Sequence, residues 1–273
     1  MKTYKLAITL VKNSRGCYII DTVKGCPAGA LFEGRGCYGD CYAKSIASRY
    51  GFDFENFQVR EFQNNSPQMD LFGFTDKTHT DHIISQIRGA DMPFIRIGEM
   101  GDPSLDWNHT LEVCNEIACA GKPIVIITKH WKEIPDELLG SLKGLCINTS
   151  ASALDTDAQI EYRVSQYERL NPYCNSVLRI VSCDFNRDNE EGLRRALIQE
   201  RLFKADKVID TVFRPSADNH FVVNGIINVE KVRFLKKDML ASRRNKSTYF
   251  GRCETCPEMC GINVKQSLFS EVK

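Results

Sequence analysis

Residues 93–128 read PFIRIGEMGDPSLDWNHTLEVCNEIACAGKPIVIIT. The stretch opens and closes on short apolar runs bounded by turn residues, PFIRIG at 93–98 and PIVIIT at 123–128, and residues 104–120 between them repeat with helical period. Strand, helix and strand in that order make a βαβ unit, whose two strands lie parallel in one sheet. The same rhythm runs outward both ways. Upstream stands CYIIDTV at 17–23, with helical patterns at 41–50 and 76–88. Downstream stand LCINTS at 145–150, VLRIVSC at 177–183 and VIDTVF at 208–213, with helical patterns at 135–142, 156–170 and 189–204. Six consecutive units predict an α/β fold around a parallel sheet, and a further strand at 6–11 precedes or caps it. Ser104, Thr156 or Asp157, and Asp188 are the expected helix N-caps.

The aromatic-rich, poorly periodic segment 51–75 reads as an insertion over one end of the sheet. Its aromatic side chains could stack on a base, but a hydrophobic lid is the preferred reading. After Phe213 the alternation stops, so residues 1–213 form the βα series and 214–273 a C-terminal extension with a strand candidate at 221–229. The 273 residues are 42% hydrophobic with a net charge of +1, ordinary for a globular protein with a core and unlike one that coats nucleic acid or anionic membrane. No run reaches the roughly 18 apolar residues of a membrane span, and no cleavage site follows the first apolar stretch, so a cytoplasmic protein is expected. The basic stretch 231–246 reads as a solvated helix face.

Twelve cysteines are an excess for this length and point to metal or redox chemistry. Cys114, Cys119, Cys146, Cys174 and Cys183 read as buried small hydrophobes. The others form two groups. GCPAGALFEGRGCYGDCYA follows the first strand and places Cys26, Cys37 and Cys41 ten and three residues apart among Gly25, Gly29, Gly34, Gly36 and Gly39. Soft thiolates on a glycine-rich loop with free amides suit an iron–sulfur cluster, and three protein thiolates leave one iron open. A zinc-stapled loop with Cys17 as fourth ligand is the alternative, although Cys17, at the start of its strand, reads rather as core. GRCETCPEMCG near the chain end spaces Cys253, Cys256 and Cys260 by two and three residues. An auxiliary cluster, a zinc knuckle, or ligands shared with Cys17 all fit that triplet.

Loops at the C-terminal ends of parallel strands build the sites of such folds. Gly98-Glu99-Met100-Gly101-Asp102-Pro103 falls there, one unit after the cysteine loop, with Glu99 and Asp102 in reach of an ammonium partner. Lys129, Ser150, Ser182 and Arg214 fall at later strand ends.

The chain resembles the radical S-adenosylmethionine superfamily, whose members carry three cluster cysteines in the loop after the first strand of a partial (β/α) barrel. GCYGDCYAK is closer to phage-associated members reading Gly-Cys, a short gap and Cys-Tyr-Ala than to the usual spacing of three and two residues. The resemblance implies an incomplete, TIM-barrel-like (β/α)6 barrel with a cysteine-rich extension and a [4Fe–4S] cluster on Cys26, Cys37 and Cys41. It further implies that Gly98, Glu99 and Asp102 meet the amino group of S-adenosylmethionine. Ser150 and Ser182 would then stand near the ribose or methionine moiety, and Lys129 or Arg214 near an anionic group. The implied activity is reductive cleavage to a 5′-deoxyadenosyl radical that takes hydrogen from a small molecule, nucleotide or modified base, with a donor such as flavodoxin or ferredoxin. Two readings compete: a zinc-stabilised, nucleic-acid-associated module in which both cysteine groups are structural, and a hydrolase with incidental thiols.

Overall fold

The computed structural model describes residues 6–29, 37–63, 69–70, 73–74 and 78–263. Gly34 and Gly36 of the cysteine loop, part of the 51–75 segment and the expected helix start at Asp76 lie outside them.

The main sheet has seven strands: β1 (Leu10–Lys12), β2 (Tyr18–Ile20), β3 (Ile95–Ile97), β4 (Ile124–Thr128), β5 (Leu145–Ala151), β6 (Asn175–Ser182) and β7 (Val208–Val212). They lie side by side in chain order, β1 to β7. β1 pairs antiparallel with β2, and every later neighbour is parallel. An order without reversal is that of a barrel wall; a doubly wound sheet reverses at its switch point. The sheet is open among the described residues, with β1 and β7 as its edges.

Strand alternation gives the two faces different cover. Ile20, Ile95, Ile97, Ile124, Ile126, Leu145 and Ile147 pack with residues of α2 (His79–Gly89) and α3 (Trp107–Ala118). Leu178 and Ile180 pack on Ile160 and Tyr167 of α4 (Asp157–Leu170). The alternate residues Ile19, Phe94, Val125, Cys146, Val177 and Ile209 meet Cys17 and the C-terminal segment instead, through Cys253, Met259 and Cys260. Helix α1 (Tyr42–Tyr50) follows the cysteine loop directly, and α5 (Glu190–Leu202) connects β6 to β7.

Several local expectations are corrected. Ser104 does not cap α3: Asp102 caps a 3-10 turn at Pro103–Asp106, Asp106 caps α3, and the Ser104 hydroxyl itself donates to Asp102 at 2.7 Å. A carboxylate is the stronger acceptor for orphan helix amides. Asn189 rather than Asp188 caps α5, while Thr156 forms the expected box with Gln159. The connection at Asp136–Leu142 is a 3-10 turn, because seven residues including Gly140 are too few for an independent α-helix. The 6–11 run divides: Leu6–Ala7 pairs with Gln58–Glu61, which also pairs with Val23–Lys24, so the 51–75 segment contributes a strand to a small second sheet.

The extension departs most. At 221–229 the chain forms a helical turn, His220–Val223, capped by Asn219, and only the short strand Ile227–Asn228. The basic stretch is a β-hairpin, Glu230–Phe234 with Lys237–Ala241, turning on Leu235 and Lys236 at φ 47° and 68°. Alternation of exposed Lys231 and Arg233 with half-buried Val232 and Phe234 is the period-2 signal that the charge count hid. Cys119 is exposed, contrary to its reading as core.

Beyond the hairpin the extension links the two ends of the sheet. Ser242 N–H donates to Phe213 O just past β7, and Thr248 Oγ1 donates to Asp210 of β7 at 3.1 Å. At the other end Arg15, in the β1–β2 turn, donates to Gly251 O at 2.8 Å and accepts from Cys253 N–H at 2.7 Å. Among the described residues no helix is long and apolar enough to cross a membrane.

Candidate metal and cofactor site

The chain after β2 turns back over the sheet through Asp21 and Gly25. Asp21 Oδ1 accepts from the amides of Glu99 and Met100 at 2.6 and 2.9 Å, and Gly25 N–H donates to Met100 O at 2.9 Å. The two loops run in backbone contact. A Cβ on Gly101 would stand 2.5 Å from Val23 O, and Gly25 holds φ 89° with Asn56 O only 2.7 Å from any Cβ. Glycine at both positions is therefore a steric requirement. The loop after β3 is thereby fixed against the one that carries the cysteines.

Cys26 is buried, and its Sγ accepts from Gly29 N–H at 3.1 Å. Cys37 and Cys41 are half-buried. Cys41 immediately precedes α1 as its N-cap residue, without a side-chain cap hydrogen bond. The neighbouring Cys37 thiol, with the amides at the start of α1, holds the Cys41 thiol below its ordinary value despite burial, and Cys37 is correspondingly raised. Burial first, and the charge of Asp102 second, push Cys26 up to about 12. Cys26 and Cys41 pack in one cluster, and Cys37 is within electrostatic reach of both, although the three thiols are not arranged around one metal position as the side chains stand.

A buried ionic group supports this corner. Asp155, after β5, pairs with Arg163 at 2.5 Å and Lys129 at 3.4 Å, and accepts from Ser152 N–H at 2.8 Å and Tyr38 OH at 3.4 Å. Burial alone would raise the Asp155 carboxyl; the charges of Lys129 and Arg163 outweigh it and hold the group below the usual range. Lys129, lowered by burial against the pull of Asp155, lies 3.7 Å over the Tyr38 ring. Tyr38 follows Cys37, so the network grips the cysteine loop from the β4 and β5 ends. Asp40 is gripped from the extension: Ser216 N–H and Oγ donate to it at 3.0 and 2.6 Å, and Asn219 Nδ2 donates to Tyr38 O at 2.7 Å.

The expected cofactor residues fare unevenly. Asp102 is filled by four donors, Ser104 N–H and Oγ–H, Thr128 Oγ1–H and Lys129 N–H, at 2.6 to 3.0 Å. Its carboxylate is a clamp between the β3 and β4 ends, with three of the four donors on Oδ1 and the Lys129 amide on Oδ2. Glu99 pairs with Arg96 at 3.1 Å and accepts from Asn13 at 3.0 Å. Gly98, at φ 92°, allows Pro103 to approach. Ser150 is buried and lies in register with Arg179 of β6, and the Ser182 hydroxyl is buried with no hydrogen-bond partner. Lys129 is committed to Asp155, whereas Arg214 lines a cavity described below.

The C-terminal triplet does not join the first three cysteines. It lies over the sheet face opposite α2 and α3, where Cys17 and Cys253 pack in one cluster and Asn148 Nδ2 donates to Cys260 O at 2.9 Å. Cys253, Cys256 and Cys260 line one cavity with Arg15, Arg96, Arg179 and Arg214. As the side chains stand, no group of three or more His, Cys, Asp or Glu among the described residues is arranged to hold a metal ion.

Sequence reasoning missed Asp21, Asp155 and the inward-facing Arg96 and Arg179. An acid one residue past a strand, as Asp21 is, and arginines inside otherwise apolar strands were the available signals. Comparison with family models, curated proteins and solved structures returned no match to this chain.

Proposed function

We propose that the chain is a radical S-adenosylmethionine enzyme whose cluster is held by Cys26, Cys37 and Cys41. One observation carries the reading: three thiols from one glycine-rich loop lie at the C-terminal end of a parallel sheet, with a backbone amide already donating to the sulfur of Cys26. Amide donors and partial burial are what thiolate ligands of an iron–sulfur centre need. When bound, a [4Fe–4S] cluster with one open iron supplies the electron that splits S-adenosylmethionine into methionine and a 5′-deoxyadenosyl radical.

The chain's own part is positioning. Asp21 and Asp102 hold the Gly98–Pro103 turn against the cysteine loop, through the amides of Glu99 and Met100 and the four donors to Asp102. Lys129, Asp155 and Arg163 hold Tyr38, hence the loop, from a buried position. Ser150, on the same sheet face as Arg179, offers a hydroxyl near the inner strand end for a ribose or amino-acid group, whereas Ser182 shares the helix-covered face with Leu178 and Ile180. Glu99, rather than Asp102, is left as the acid for an ammonium, its charge shared with Arg96. The six parallel strands in chain order support an incomplete (β/α)6 barrel as the frame. The substrate class that fits the reading is a small molecule or nucleotide held over the strand ends.

The test is anaerobic reconstitution with iron and sulfide, then addition of S-adenosylmethionine and a low-potential reductant. The reading expects bound iron with acid-labile sulfide, and 5′-deoxyadenosine on reduction. A colourless protein carrying zinc and forming no 5′-deoxyadenosine would instead identify a structural, metal-stapled module.

A further inference from the structure

The first site uses three of the seven cysteines that the sequence sets apart. The other four, remote in sequence, come together at the seam where the extension joins the β1–β2 turn. Cys17 is fully buried at the start of β2, where its thiol donates to Tyr18 O at 3.7 Å and packs in one cluster with Cys253 and Cys260. Cys253, Cys256 and Cys260 line the same cavity. The backbone between them is shaped as a knuckle. Met259, Cys260 and Gly261 take φ of 44°, 52° and 92°, a left-handed run that side chains other than glycine rarely adopt. Within it the Met259 amide donates to Cys256 O at 3.4 Å and Gly261 N–H to Glu258 O at 2.8 Å, closing a tight turn between the two cysteines.

The charge around the cavity points the same way. Arg15, Arg96, Arg179 and Arg214 all line it, against Asp210 and Glu258. Glu99 and Asp210 already serve other partners, since Glu99 pairs with Arg96 and Asp210 accepts from Thr248 and Arg244. Arg15, Arg96 and Arg179 are half-buried and Arg214 is exposed, and guanidinium groups gathered on one wall favour an anionic occupant. Four cysteine thiolates around a divalent metal, or around a [4Fe–4S] core, carry a net charge of about −2. Binding releases the thiol protons and leaves that charge facing the arginines.

We infer that Cys17, Cys253, Cys256 and Cys260 form a second, tetrathiolate metal centre that staples the C-terminal extension to the start of the sheet, with Arg15, Arg96, Arg179 and Arg214 as its counter-charge. Side-chain rotation of Cys256 and Cys260 about the knuckle completes the set, because as the side chains stand they are not arranged around one metal position. The inference stands independently of the first cluster: it concerns different residues at a different place on the sheet.

The experiment uses the full chain purified anaerobically, in two forms that separate the centres. Cys26→Ala/Cys37→Ala/Cys41→Ala removes the first set, and Cys256→Ala/Cys260→Ala removes the second. The triple variant is expected to keep one centre per chain, read either as one zinc or as iron with matching acid-labile sulfide; the two readouts distinguish the metals and both support the site. The double variant is expected to lose that complement relative to the unaltered chain, and Cys17→Ala to weaken its retention against a chelator at least tenfold. Native thiol alkylation needs no variant to fold: Cys256 and Cys260 should resist modification in the purified protein and react after chelation or oxidative metal loss. The site is overturned if Cys256 and Cys260 alkylate freely in the metal-loaded chain, or if the double variant retains the full metal content. A failure of this kind leaves the first cluster untouched, and a triple variant that keeps its metal while forming no 5′-deoxyadenosine leaves the second standing whatever the first does.

Discussion

At the scale of single residues the loop end of the sheet is held by a few buried polar groups, each with a definite electrostatic task. His130, between β4 and the 3-10 turn, is fully buried, and burial, helped by the charges of Arg163 and Arg169, lowers it from 6.5 to about 3. Its folded value lies below its unfolded one. Between roughly pH 6.5 and 3 the unfolded chain therefore binds a proton that the folded chain refuses, and stability falls on acidification by about 1.4 kcal/mol per pH unit from this group. In His130→Asn, which tolerates the residue's φ of 50°, that slope should vanish from chemical denaturation measured between pH 6 and 4; an unchanged slope would mean the ring is not the source. Asp155 acts in a lower window. Its carboxyl is depressed, so its contribution is complete above the unfolded value of about 3.9 and is lost as pH falls through the folded one. Arg163→Met leaves Asp155 with Lys129 alone among buried cations, and about 3–5 kcal/mol should be lost at pH 7 by urea unfolding, as expected for one broken buried pair. A loss under 1 kcal/mol would show that the pair is not the clamp described.

At the scale of elements, backbone contact between the two loops decides where the cysteines stand. Gly101→Ala places a Cβ 2.5 Å from Val23 O and 2.9 Å from Gly25 O, which no side-chain motion relieves. The expected result is a folded chain whose far-UV circular dichroism is retained while iron content after reconstitution drops severalfold; full iron loading would contradict the positioning role. The hairpin offers a test of opposite sign. Leu235 and Lys236 sit in a left-handed turn that favours Asn-Gly, so Leu235→Asn/Lys236→Gly should stabilise the chain by about 0.5–1 kcal/mol, read as a raised thermal midpoint. These elements also show what the sequence displays and what it conceals. The strands at 93–98, 123–128 and 145–150 were legible because β-branched runs buried on both faces have few alternatives. The 231–246 segment was misread because seven basic residues masked a two-residue alternation, and the turn there is made by Leu and Lys, with none of the usual Gly or Asn signal. Asp102 was legible as important and misread in role, since nothing local in GEMGDP reveals that Thr128 and Lys129, 26 and 27 residues on, occupy its oxygens.

At the scale of the whole molecule, six parallel strands in chain order present their loops at one end, and a C-terminal extension runs from β7 to the β1–β2 turn across the face that the helices leave open. The grouping of Cys26, Cys37 and Cys41 could be read from spacing and glycine content alone. The meeting of Cys17 with the C-terminal triplet could not, because it depends on where the extension docks, and 236 residues separate Arg15 from the Gly251 carbonyl it holds. The measurement that bears most directly on the central claim is 5′-deoxyadenosine formation by anaerobically reconstituted, reduced protein, compared between the unaltered chain and Cys37→Ala and Cys41→Ala. The account predicts 5′-deoxyadenosine with the unaltered chain and none above background with either variant. Absence of the product from an unaltered chain loaded with iron and sulfide, or its undiminished formation by the variants, would contradict it.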